Sequence, residues 1–80
     1  MATKDISDVQ VCRAVKAFRD RDLDLPWPYE ALAEETGQPE KVCYRAMERA
    51  DRRGYLEYGV SLRTSWLTEE GEQLLKDHNA

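Results

Sequence analysis

The residues able to do covalent or metal chemistry are few: Cys12, Cys43 and a single histidine, His78, in a chain of 80 residues. The two thiols stand far apart, with no Cys-x-x-Cys pair and no histidine beside either, which is not a zinc-binding pattern. Both are expected to be reduced and buried as small apolar side chains. His78 falls in the polar run Lys76-Asp77-His78-Asn79-Ala80, where fraying is expected. There is no Gly-rich phosphate loop, no strained nucleophile turn and no His-Glu-x-x-His pair. No set of nucleophile, base and metal can be named, so no enzyme, cofactor or metal is expected.

What remains is charge. The chain has 12 Lys+Arg against 16 Asp+Glu, a net charge of −4, but the charges are unevenly spread. Residues 38–53 hold Lys41, Arg45, Arg49, Arg52 and Arg53 against Glu40, Glu48 and Asp51. Residues 20–37 hold Arg21 alone against Asp20, Asp22, Asp24, Glu30, Glu34 and Glu35. Such polarisation permits an electropositive face on an acidic body. At 41% hydrophobic and 35% charged the chain is too apolar for plain disorder. Its apolar runs are too short to span a bilayer. The start, Met1-Ala2-Thr3-Lys4-Asp5-Ile6-Ser7-Asp8, has no apolar stretch of the secretory kind, so the cytoplasm is the expected compartment. One domain over 1–80 is expected, with 1–6 and 77–80 flexible.

The elements that must carry these charges follow from periodicity. Ser7 and Gln10 have capping-box spacing, and Val9, Cys12, Val15 and Phe18 recur at helical intervals, predicting a helix over 8–20. Leu23-Asp24-Leu25 alternates before Pro26-Trp27-Pro28, predicting a very short strand or extended piece. Pro28 or Tyr29 opens a second helix, which Gly37 ends. With Pro28 at the cap, Trp27 and Leu32 would have the spacing of a hydrophobic staple. Gln38-Pro39-Glu40 restarts a helix whose stripe Val42, Cys43, Ala46, Met47 and Ala50 faces inward, and Gly54 closes it. Residues 55–58 and 62–67 read as two strands joined at 59–61. Thr68 caps a last helix to about Asp77, with Glu69, Glu70 and Glu72 in its first turn. The fold class expected is mainly α with a small β-hairpin, in the order α, short β, α, α, β, β, α.

Four stretches resemble a known family. Leu32-Ala33-Glu34-Glu35-Thr36-Gly37 is similar to the ending of the first helix of a helix-turn-helix motif. Val42, Ala46 and Ala50 fall at the inward positions of its second helix. Arg53-Gly54-Tyr55-Leu56-Glu57 resembles the passage into a wing. Trp66-Leu67-Thr68-Glu69-Glu70-Gly71 is similar to the exit from the wing in MarR-like and related small bacterial or phage regulators. Together, over about residues 25–75, they resemble the winged helix-turn-helix DNA-binding domain.

That resemblance implies that the outward face of the second motif helix enters the major groove of double-stranded DNA. Carried onto this chain, the DNA-contacting residues are Gln38, Lys41, Tyr44, Arg45 and Arg49, with Ser61 and Arg63 from the wing. Arginine can reach guanine edges or a phosphate, and glutamine can address adenine. The function implied is that of a transcriptional regulator or accessory factor, and a homodimer or protein partner would supply the affinity that one small module lacks. Tyr55, Tyr58, Trp66 and the last helix are candidate contacts for such a partner. The alternative is a winged-helix interaction module that docks its acidic surface onto a basic protein; the net negative charge and a wing holding only Arg63 motivate it.

Overall fold

The structure, a computed structural model, describes residues 6–78. Helix α1 spans Asp8–Asp20, with the bounds that periodicity predicts. Its start is a reciprocal cap: the Gln10 N–H donates to Ser7 Oγ at 3.1 Å and the Ser7 N–H donates to Gln10 Oε1 at 2.8 Å. Val11, Cys12, Ala14, Val15 and Phe18 form its buried side.

The short strand expected at Leu23–Leu25 is absent; among the described residues the only sheet is a two-stranded one further along the chain. The amides here finish α1 instead. Leu23 N–H donates to Phe18 O at 3.1 Å and Asp22 N–H to Arg19 O at 3.0 Å, a Schellman ending. Asp22 and Leu23 take φ of 59° and 66° to make it, without a glycine. The Arg21 guanidinium then donates to Pro26 O at 3.0 Å, folding the segment back on itself. Leu25 is left 62% exposed.

Helix α2 covers Pro28–Thr36, with Pro28 in the first turn and Trp27 as the cap. Glu30 Oε1 accepts from the Trp27 N–H at 3.0 Å. The cap thus lies one residue earlier than the Trp27–Leu32 staple requires. Trp27 meets Phe18 of α1 instead, with ring centroids 5.5 Å apart, and Leu32 is fully buried in the core. Gly37, at φ 75°, takes the left-handed turn that ends α2. Thr36 Oγ1 accepts from the Gln38 N–H at 3.2 Å, bracing the reversal. Pro39 then caps α3, Glu40–Arg52, which buries Cys43, Ala46, Met47 and Ala50. Here Gly54, at φ 86°, makes the same kind of ending as α1, with Tyr55 N–H on Ala50 O at 3.0 Å.

The hairpin is shorter than expected. β1 is Leu56–Glu57 and β2 is Trp66–Leu67, antiparallel, with Leu56 opposite Leu67 and Glu57 opposite Trp66. Residues 62–64, read from sequence as strand, form a 3-10 turn. Local hydrogen bonds outcompete the ladder there: Ser61 Oγ accepts from Arg63 N–H at 3.2 Å, and Thr64 Oγ1 donates to Ser61 O at 3.1 Å. Helix α4 runs over Glu69–His78. Thr68 Oγ1 caps it by accepting from the Gly71 N–H at 3.2 Å, and donates to Gly54 O at 2.5 Å. Gly71 is held so close to the residue before β1 that a Cβ there would lie 2.4 Å from Tyr55 O. The Leu-Thr-x-x-Gly stretch is thus the seam joining α3, the hairpin and α4.

α1, α2 and α3 pack on one another around a single core that includes Val11, Val15, Leu32, Met47, Leu56 and Leu62. Ile6, expected in a flexible end, is fully buried in that core, and 77–78 are the last residues of α4. The rest of that expectation, 1–5 and 79–80, lies outside the described residues. No helix among the described residues is long and apolar enough to cross a membrane.

Candidate nucleic-acid interface

The inward stripe of α3 fixes its phase, and with it the direction of every charge on the helix. Positions opposite the buried stripe are Lys41, Arg45, Glu48 and Arg52, spaced i, i+4, i+7 and i+11, so they form one row. All four are exposed. Lys41, Arg45 and Arg52 make no ion pair within 4.0 Å among the described residues. Neither does Glu48, nor Glu40 at the start of the helix. Arg52 was not among the residues singled out from sequence; the i+11 spacing from Lys41 is the signal that marks it.

Arg49 stands apart from that row. Its Nε donates to Asp8 Oδ1 at 3.0 Å, and its Nη2 to the carbonyl of Ile6. The side chain is only 14% exposed and Asp8 13%, so the pair is largely withdrawn from solvent. Arg53 shares the same carboxylate, Nη1 to Oδ2 at 2.6 Å, but is 58% exposed. The structure brings Lys41 and Arg45 together on one row and places Arg49 in the seam between α3 and the start of α1.

The remaining sequence candidates occupy the flanks. Gln38, in the turn before α3, is half-buried, and its Oε1 is buried with no hydrogen-bond partner among the described residues. Tyr44 is half-buried against the core and meets Tyr29 edge to face, centroids 5.6 Å apart. Ser61 caps the 3-10 turn. Arg63 extends from that turn over the Tyr29 ring, 5.8 Å from Cζ to centroid. Between α3 and this loop runs a cleft of about 380 Å³, lined by Tyr44, Glu48, Asp51, Arg52, Tyr58 and Ser61 among others. Val60, at the loop's tip, is 99% exposed.

The site offers cations, hydroxyls and an amide, which suit a polyanion better than a reacting carbonyl. Elsewhere the thiols are shielded: burial, with Asp8 and then Glu72 nearby, pushes Cys12 up to about 12. Burial also raises Cys43, against a hydrogen bond with Thr36 that lowers it. Among the described residues no three His, Cys, Asp or Glu side chains gather as a metal site. Comparison of the chain with protein-family models, with curated proteins and with solved structures finds no match.

Proposed function

We propose that this chain is a small cytoplasmic winged helix-turn-helix protein that binds double-stranded DNA, as a transcriptional regulator or accessory factor and not as an enzyme. α2, the turn at Gly37–Pro39 and α3 serve as the motif, and α3 lies in the major groove. Lys41 and Arg45 reach base edges or phosphates, with Arg52 following the same row. Arg63 and Ser61 reach the neighbouring backbone. Gln38 and Tyr44 contribute at the edge of the contact, and Arg49 supports the helix from behind.

The observation that carries this reading is the exposed row of Lys41, Arg45 and Arg52, which has no ion pair among the described residues. In an acidic protein with carboxylates to spare, three such cations in line leave a charge that a phosphate backbone satisfies. A module with four such contacts binds non-specifically at roughly 10⁻⁴–10⁻⁶ M in physiological salt, so a second copy or a partner supplies specificity. Selection from a random duplex library, followed by binding curves at several salt concentrations, tests the reading. Contacts from Lys41, Arg45, Arg52 and Arg63 predict a log–log salt slope of about −3 to −4. A flat response, or no enriched sequence, overturns it.

A second reading has its own support. Glu34 and Glu35 on α2, and Glu69, Glu70 and Glu72 on α4, are exposed, and among the described residues only Glu72 of these makes an ion pair, with Lys16 at 3.6 Å. On this reading the acidic surface docks onto a basic protein. Amide shift changes on adding duplex at low salt separate the two: changes over 38–52 and 61–63 support DNA, and their absence supports a protein partner.

A further inference from the structure

Arg63 is the one cation in the loop between β1 and β2, and the loop around it is firmly built. Leu62 is 6% exposed and anchors the 3-10 turn in the core. Ser61 Oγ, Ser61 O and Leu62 O accept from Arg63 N–H, Thr64 N–H and Ser65 N–H at 3.2, 3.1 and 3.2 Å. The backbone of Arg63 is thereby set. Its side chain, although exposed, lies over Tyr29 at 5.8 Å. Tyr29 in turn meets Tyr44 of α3 nearly perpendicular, at 83° and 5.6 Å. A guanidinium, two rings and the side of α3 therefore form one continuous chain of contacts across three elements. Tyr29 has no evident charge or groove-reading role from its sequence position in the first turn of α2, yet it is the member that joins the other two.

We propose that Tyr29 is a positioning residue whose ring, propped by Tyr44, holds the Arg63 guanidinium at a fixed place beside α3 for a backbone phosphate of duplex DNA. This rests on the DNA-binding reading and deepens it. A cation held over a ring face still has N–H groups to offer, so it can fork onto a phosphate. Ordering a long side chain before binding removes part of the entropy lost on association, and the contact with Tyr29 does that ordering here.

The test has a part without DNA and a part with it. In the free protein, ring current from Tyr29 shifts the Arg63 δ-methylene protons upfield in the wild type and in Tyr29→Phe. In Tyr29→Leu they return to solvent-exposed values. On duplex, Tyr29→Leu weakens binding about three- to tenfold and leaves the salt slope unchanged, because Arg63 still reaches its phosphate. Arg63→Ala weakens binding and makes the slope shallower by about 0.9. The double variant is no weaker than Arg63→Ala alone, and Tyr29→Phe binds like the wild type. All are compared below their melting transitions, and Tyr29→Phe keeps the test alive if the leucine variant does not fold. Equal losses for Tyr29→Phe and Tyr29→Leu overturn the proposal, since the hydroxyl would then be a direct contact; so do additive effects in the double variant. An absent upfield shift with duplex binding intact overturns the role of Tyr29 alone. A clear upfield shift with no duplex binding overturns the DNA reading, and the phosphate role of Arg63 with it.

Discussion

Arg45 and Arg49 lie one turn apart on α3 and have different surroundings. Arg49 faces the start of α1, where Asp8 and the Ile6 carbonyl accept its hydrogen bonds and little solvent reaches. Arg45 faces solvent, in line with Lys41 and Arg52, with no carboxylate within ion-pair distance among the described residues. The first is a structural cation, holding the buried segment around Ile6 onto α3. The second makes no ion pair among the described residues and keeps its charge in solvent. One helix thus divides its basic residues by phase into shielded and exposed ones; on the proposed DNA-binding reading the exposed ones serve recognition, and each class predicts a different response to substitution.

Arg49→Met tests the structural side and has the largest expected effect. It leaves the Ile6 carbonyl and one oxygen of Asp8 without their donor in a place water reaches poorly. The cost is about 2–3 kcal/mol. In a domain of this size that is a large share of the total stability, and it lowers the melting temperature by roughly 10–20 °C. Thermal unfolding followed by circular dichroism measures it, and a wild-type melting curve would refute the assignment.

Arg45→Ala tests the other side. Duplex affinity falls about ten- to thirtyfold, the loss expected of one good base or phosphate contact. The melting curve stays within about 0.5 kcal/mol of wild type, as for other exposed positions. If Arg45 reads a base, preference among duplexes relaxes; if it holds a phosphate, every duplex weakens alike. A variant that melts early and binds normally would reverse the division between the two arginines.

The halves of this comparison were unequally legible in the sequence. The phase of α3 is written in Cys43, Ala46, Met47 and Ala50, so the outward placement of Lys41 and Arg45 follows from spacing. The fate of Arg49 does not, because its partner Asp8 lies 41 positions away and only tertiary packing brings them together. The burial of Ile6 is illegible for the same reason: position near an end suggests fraying, while its place in the core comes from tertiary packing. The segment 62–64 shows a second kind of limit. Thr64 favours a strand by propensity, but the Ser61 side chain and carbonyl capture the next amides first. Likewise Asp22 ends α1 in a left-handed turn where sequence signals look for glycine, so the extended reading of Leu23–Leu25 had no glycine to contradict it. Helix starts, with Ser7, Pro28 and Thr68, were read closely because their chemistry is local.

Glu48 sharpens the comparison with a smaller, opposite effect. It sits in the outward row between Arg45 and Arg52, exposed and without an ion pair among the described residues. If the row meets a phosphate backbone, this carboxylate repels it. Glu48→Gln therefore strengthens duplex binding about two- to fivefold at low ionic strength. The gain shrinks as salt rises, because exposed charges are screened. Fluorescence anisotropy at two salt concentrations reads both effects. Weaker binding on removal of the charge would mean that Glu48 accepts from a base, or that the row does not face DNA.

Arg53 supplies the finest cut between the two classes, since it shares Asp8 with Arg49 but differs in exposure. Geometry alone favours Arg53, at 2.6 Å against 3.0 Å. Solvent favours Arg49, whose side chain is 14% exposed where that of Arg53 is 58% exposed. Water screens the outer pair and solvates either partner when the other is removed, so Arg53→Ala costs about 0.5 kcal/mol. The inner pair costs more because its loss strips a shielded carbonyl, that of Ile6, of this donor and leaves Asp8 with only the exposed Arg53. Chemical denaturation of the two single variants and of the double variant in 0.05 and 0.5 M salt decides the point. The Arg53 effect should fade with salt while the Arg49 effect persists. Equal losses at both positions would mean that bond length, and not burial, sets the strength of this shared carboxylate.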